Sequence, residues 1–167
     1  MDDSGQLLIE QFKIRPAEEN DVNLILQFIK GLGEYEKLSH EVVASEEKLR
    51  NTLFKHKMAE VIIGEYNNEP VGFALFFHNY STFLGQAGIY LEDLFINPDM
   101  RGKGFGKMML KYLAKLAVER DCGRLEWACL DWNEPSVCFY KGLGAKALEE
   151  WTVYRLTGET LDEMANS

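Results

Sequence analysis

Leu91-Glu92-Asp93-Leu94-Phe95-Ile96 sets two adjacent carboxylates inside an apolar run, and Arg101-Gly102-Lys103-Gly104-Phe105-Gly106-Lys107 follows across an Asn97-Pro98-Asp99 turn. A glycine-rich turn that opens a helix presents backbone N–H groups that have no partner in the helix. The helix dipole adds partial positive charge there, and Arg101, Lys103 and Lys107 add full charges. That combination suits a diphosphate, held a few residues from carboxylates able to take a proton. The glycine spacing excludes two familiar alternatives. A dinucleotide fingerprint needs G-x-G-x-x-G, whereas Gly102, Gly104 and Gly106 are each separated by one residue. A triphosphate loop needs G-x4-G-K-[ST], and Met108 stands where its hydroxyl should be. What remains is R-x-x-G-x-G.

A second constellation lies downstream. Asn133, Ser136 and Tyr140 are three and four residues apart, so a helix would put them on one stripe. Asn and Ser near a helix start are ordinarily caps, and a helical Tyr is ordinarily core or rim. Cys122, Cys129 and Cys138 contain no C-x-x-C pair and read as reduced thiols in a cytoplasmic protein, small core residues by default. His40, His56 and His78 have no ligand spacing, and G-x-S-x-G is absent, so neither a metal centre nor a serine hydrolase is indicated. A net charge of −9 disfavours nucleic acid and favours a cationic substrate. With no apolar run of membrane-spanning length and an acidic, polar opening MDDSGQ, the expectation is a soluble chain with no secretory signal. Residues 1–6 are expected to be a loose tail.

The elements that must position these residues follow from periodicity. At 167 residues, one α/β domain covering 1–167 is expected. Leu7 to Arg15 reads as a first strand stopped by Pro16. Asn20 or Asp21 caps a helix with Val22, Ile25, Phe28, Ile29 and Leu32 on one face. Gly31 and Gly33 are expected to end that helix and leave Tyr35 and Glu36 in a loop. Ser45 starts a short helix through Phe54. Ala59 to Tyr66 and Val71 to Asn79 form a hairpin across Asn67-Asn68-Glu69-Pro70. Gly88 to Ile96 is the next strand, and simple alternation puts Glu92 and Asp93 on opposite faces. A helix from about Phe105 to Asp121 buries Met109, Tyr112, Leu113 and Leu116 and exposes Lys107, Lys111 and Lys115. Arg124 to Leu130 is a fifth strand. Asn133 caps a helix closed by Gly142 and Gly144, Lys146 to Leu156 carries one strand or two, and Glu159 to Ala165 reads as helical.

Taken together, L91-E-D-L-F-I96, R101-G-K-G-F-G106 and N133-E-P-S-V-C-F-Y140 resemble the GNAT superfamily of acetyl-CoA-dependent N-acetyltransferases. The chain is most similar to the spermidine/spermine branch and its relatives acting on thialysine-type amines. The likeness runs from about Lys13 to about Leu156 and includes Leu32-Gly33-Glu34-Tyr35-Glu36 and Trp132-Asn133-Glu134-Pro135-Ser136. It implies a splayed, mixed and mostly antiparallel sheet flanked by about four helices, whose gap admits the pantetheine arm of CoA. Backbone at Leu94, Phe95 and Ile96 would pair with that arm. Arg101, Gly102, Lys103, Gly104, Phe105, Gly106 and Lys107 would hold the pyrophosphate, and Asn133, Ser136 and Tyr140 would line the groove. By the same resemblance Tyr35, Glu36, Glu92 and Asp93 serve amine recognition or proton removal, Tyr140 is the general acid, and the protein is a homodimer. One region departs. Glu149-Glu150-Trp151 lacks the glycine that follows the acidic pair in polyamine enzymes.

The chemistry is then direct transfer. An alkyl ammonium has a pKa near 10, so freeing its lone pair at neutral pH costs about 4 kcal/mol. Glu92 can accept that proton, strand N–H groups can stabilise the oxyanion, and Tyr140 can protonate the departing thiolate. The small acceptor would be a polyamine, a diamine or a lysine-like amine. The alternatives are a protein or peptide amine as acceptor, or a non-catalytic acyl-CoA-binding module.

Overall fold

The computed structural model describes residues 11–167. The tail expected at 1–6 and the start of the first predicted strand, residues 7–10, lie outside the described residues. One sheet runs in the order β1 (Phe12–Pro16), β2 (Glu60–Tyr66), β3 (Glu69–Ser81), β4 (Gln86–Ile96) and β5 (Leu125–Trp127). All neighbours are antiparallel except β4 and β5, which are parallel. The hairpin between β2 and β3 is closed by Asn67 and Asn68 at φ 54° and 62°. A tight two-residue turn needs this left-handed pair, and Asn adopts it at low cost.

The chain divides into two compact units, one ending at Ala128 and the other spanning Cys129–Ser167. In the first unit, α1 (Val22–Tyr35) lays Val22, Ile25, Leu26 and Phe28 on one sheet face. There they meet Val61 and Ile63 of β2, Phe73 of β3 and Phe95 of β4. The short α2 (Glu46–Leu49), capped by Ser45 and continued by a wider turn Arg50–Lys55, adds Leu49 and Leu53 to this cluster. On the other face lies α3 (Phe105–Glu119), whose Phe105 ring stacks on Phe12 with centroids 4.3 Å apart.

Six departures from expectation follow. Gly31 and Gly33 do not end α1, which runs to Tyr35 with Glu36 as its cap. A Cβ on Gly31 would stand 2.9 Å from the Phe95 ring and one on Gly33 2.7 Å from Val42, so both glycines serve close packing within the helix. Alternation fails at Glu92. Leu75 faces Asp93 and Phe76 faces Leu91, which leaves Glu92 as the extra residue of a β-bulge. β5 pairs only from Ile89↔Leu125 to Leu91↔Trp127, shorter than Arg124 to Leu130 and without Cys129. The bulge at Glu92 raises the local twist just where that parallel ladder stops. In α3 the buried stripe is Phe105, Met109, Leu110, Leu113 and Ala117, with Tyr112 and Leu116 only half-buried.

The second unit contains α4 (Glu134–Gly142) and α5 (Gly158–Ala165). The Asn133 side chain accepts a hydrogen bond from the Ser136 N–H, Pro135 sits in the first turn, and Gly144 leaves the helix at φ 88°. Lys146 to Leu156 forms no strand, the fifth departure. An extended segment is held by a neighbouring strand's N–H and C=O groups, and among the described residues its own unit has no strand. Cys138 is exposed and is not a core residue.

Candidate active site

Past Leu91, β4 keeps β3 as its strand partner but has left β5 behind, since the parallel ladder ends at Leu91↔Trp127. The opposite backbone edge at Leu94, Phe95 and Ile96 is therefore released from the sheet on that side. This is the splay that the sequence implied. Phe95 turns its ring into the α1 face and is buried.

At the end of β4 the chain turns through Pro98–Met100 and enters the glycine loop. Gly102 and Gly104 take φ 76° and 86°. A Cβ at either would touch nothing within 4 Å, so glycine is required there for backbone conformation and not for room within the protein. The Met108 N–H is the first to reach back along α3, to the Gly104 carbonyl at 3.1 Å. The N–H groups of Phe105, Gly106 and Lys107 thus lie ahead of the helical ladder and point out of its N-terminus. Phe105 anchors that end, its buried ring against Phe12 and Tyr66. Lys103 and Lys107 are exposed beside it. An open, N–H-rich cradle with two cations fits a diphosphate such as that of CoA.

Arg101 behaves differently from these lysines. Its Nε donates to the Ile96 carbonyl at 2.8 Å, and its guanidinium carbon lies 4.2 Å from the Tyr35 ring centroid and 5.4 Å from that of Phe95. Tyr35, expected among the substrate residues, is the last residue of α1 and stacks beneath this cation. The signal for it was present in the sequence: Phe28, Leu32 and Tyr35 continue one helical stripe straight across the glycines.

The carboxylates gather at the same end of the sheet. Asp93 stands opposite Leu75, which packs on the α1-side core, and is half-buried. Burial first, then the charges of Glu92 and Glu36, push the Asp93 carboxyl up to about 6. Burial also raises the Glu36 carboxyl above the ordinary carboxylate range. Glu92, on the bulge, is exposed. Tyr90, two residues earlier, has its phenol pushed up by burial and then by Glu92 and Glu126. The structure thus brings Glu36, Glu92 and Asp93 into one electrostatic group. Two hollows among the described residues lie elsewhere. One of about 790 Å³ is lined by Glu19, Arg50 and Lys55 among others, and one of about 300 Å³ by Gly31, Glu34, Phe95 and Asn97 among others. Neither is lined by the acid group.

Asn133, Ser136 and Tyr140 belong to the second unit. Asn133 is buried and spends its side-chain oxygen on the helix cap. Tyr140 is half-buried in α4, its ring 5.3 Å from that of Phe139.

Comparison with known proteins identifies the family of the chain. The acetyltransferase (GNAT) family model matches residues 28–145, which run across the boundary between the two units. A thialysine N-epsilon-acetyltransferase of Bos taurus is 41% identical over 165 residues, covering 91% of this chain and 96% of that protein. An L-ornithine N5-acetyltransferase of Arabidopsis thaliana is 33% identical, covering 89% of this chain and 86% of that protein. Among solved structures, an integron cassette protein from the mobile metagenome of V. cholerae superposes with a TM-score of 0.79 at 29% identity. It covers 94% of this chain and 99% of its own.

Proposed function

The chain belongs to the acetyltransferase (GNAT) family, and we propose that within it the acceptor is the primary amine of a small molecule carrying a second cationic group. It is an amine N-acetyltransferase, and acetyl-CoA is the donor that the family implies. The observation that carries the acceptor reading is the acid group itself. Glu36 and Asp93 are held above the ordinary carboxylate range, Asp93 by burial and by its neighbours' charges. A bound ammonium offsets both effects, so the site gains most from a ligand bearing more than one positive charge. The names of the relatives, which specify thialysine and L-ornithine as acceptors, point the same way.

Acetyl-CoA, when bound, supplies an acetyl group as a thioester. The chain's own residues do the rest. The N–H groups of Phe105, Gly106 and Lys107, with the Lys103 and Lys107 side chains, would hold the diphosphate. The free edge of β4 at Leu94 and Ile96 would pair with the pantetheine arm, and Asn133 and Ser136 would be the cofactor residues of the second unit. Glu36 and Asp93 fix the acceptor, Glu92 takes its proton directly or through water, and Tyr140 holds a proton at its phenol oxygen for the departing sulfur. Residues 1–167 then work as one acetyltransferase domain, in a cytoplasmic homodimer. No helix among the described residues is long and apolar enough to cross a membrane.

The test is thiol release from acetyl-CoA with lysine analogues, ornithine, diamines, spermidine, matched monoamines and peptides. Diamines and diamino acids are expected to outrun monoamines of the same length, and raised salt to increase their KM. Equal efficiency with monoamines sinks the two-charge reading. Preference for peptides replaces it with a protein-amine acceptor.

A further inference from the structure

We propose that Arg101, although it opens the glycine loop, is a positioning residue for the acceptor side: its guanidinium fastens the end of α1, and so Glu36, onto β4. This rests on the acetyltransferase reading and reassigns one residue within it. The geometry has three parts. Nε donates to the Ile96 carbonyl at 2.8 Å, which ties the side chain to the last residue of β4. The guanidinium carbon lies over the Tyr35 ring, 4.2 Å from its centroid, and 5.4 Å from the Phe95 centroid. Gly31, one turn back on α1, allows the helix to lie directly on Phe95. One side chain therefore joins the last residue of α1 to two residues of β4. Glu36 is the residue after Tyr35, and its charge acts on Asp93, three residues before Ile96.

A diphosphate ligand asks something else of a cation. Lys103 and Lys107 are exposed at the mouth of the cradle, where a point charge suffices. Arg101 uses its planar fork, with one edge on a carbonyl and one face on an aromatic ring. A lysine cannot reproduce both contacts at once. The two roles make opposite forecasts for the same substitution.

The experiment compares Arg101→Lys, Arg101→Met and Tyr35→Leu in the full chain. It measures CoA affinity by calorimetry, KM and kcat for both substrates, and thermal unfolding. If Arg101 positions the acceptor side, Arg101→Lys and Arg101→Met both raise the acceptor KM about tenfold, the scale of losing a charge-assisted hydrogen bond. CoA affinity stays within about threefold of wild type, since the cradle is untouched. Tyr35→Leu, which removes the ring beneath the guanidinium, reproduces the acceptor defect. The double variant Arg101→Met with Tyr35→Leu adds little to either single change. If Arg101 instead binds diphosphate, Arg101→Met weakens CoA binding about tenfold, Arg101→Lys restores it, and the acceptor KM is the same in both as in wild type. That pattern overturns the proposal. Should the wild type turn over no amine at all, the acetyltransferase reading fails first. The coupling between Arg101 and Tyr35 in thermal unfolding, together with CoA affinity, still decides which role Arg101 has. Additive unfolding effects refute the clamp.

Discussion

Gly31 of α1 and Phe95 of β4 touch edge to backbone: a Cβ on Gly31 would come within 2.9 Å of Phe95 Cζ. The ring has little freedom to yield. It is buried in the core with Phe28 at a centroid distance of 6.2 Å, and the Arg101 guanidinium lies 5.4 Å from its own centroid. Glycine within a helix costs about 1 kcal/mol against alanine, so its use here points to a packing need that outweighs propensity. Gly31→Ala is expected to lose about 1–2 kcal/mol net in chemical unfolding, because overpacking exceeds the propensity gain. A stabilised variant would mean that Phe95 swings aside freely and that the contact does not set the position of α1.

The same contact explains where sequence reading stopped. Glycines at 31 and 33 carry the usual signature of a helix end, and only a tertiary neighbour reveals that they serve packing. The hairpin at Asn67-Asn68, the Ser45 and Asn133 caps and the start of α3 were legible because their signals are local. The bulge at Glu92 was not, since nothing in L-E-D-L-F-I marks where β3 skips a residue. For the site, the residue types of the acid group and the cradle could be read directly. What escaped was the state of Asp93 and the engagement of Arg101, which depend on burial and on a ring from α1. Lys146 to Leu156 has the composition of a strand, yet composition does not supply a neighbour to pair with.

Asp93 makes a prediction in which stability and activity move in opposite directions. Its folded carboxyl titrates at about 6, above the ordinary Asp value, with burial as the leading cause, followed by Glu92 and Glu36. The folded state therefore holds the proton more tightly than the unfolded chain. The stabilising contribution is complete below about pH 4 and is lost as pH rises through about 6. Asp93→Asn removes that dependence. It is expected to stabilise the protein by up to about 3 kcal/mol at pH 8 and to leave it unchanged near pH 3. The same change should lower kcat/KM for the acceptor and flatten an acid limb near pH 6. Melting curves and acceptor kinetics across pH check both halves. A destabilised Asn variant at pH 8 would show that the charge of Asp93 is compensated inside the fold.

Gly104 separates folding from ligand binding less cleanly than an open turn would. Its φ of 86° lies in the left-handed region, yet no protein atom crowds its absent Cβ. Gly104→Val is expected to cost about 1–2 kcal/mol of stability through backbone strain alone. It should weaken CoA binding further by placing methyl groups in the cradle. Gly104→Asn, which tolerates left-handed backbone, should recover most of the stability but less of the affinity. Calorimetry with CoA and thermal unfolding read the two effects separately. Affinity restored fully by Asn would assign the whole effect to strain and leave the cradle without a role.

Tyr140 offers the most direct examination of the chemistry. It lies in α4, half-buried, with its ring against Phe139 at 5.3 Å, so the ring contributes packing independently of its hydroxyl. Tyr140→Phe keeps that ring and removes the phenolic proton. If the hydroxyl protonates the departing thiolate, kcat falls roughly 10²–10⁴-fold, the usual size of a general-acid contribution. CoA affinity should change little, because the cradle at Gly102 to Lys107 belongs to a different part of the chain. Near-normal kcat at saturating substrates would mean that the thiolate leaves unaided or is protonated by another group. A variant that unfolds would instead show that the hydroxyl is a structural partner in α4, and Tyr140 would lose its place in the mechanism.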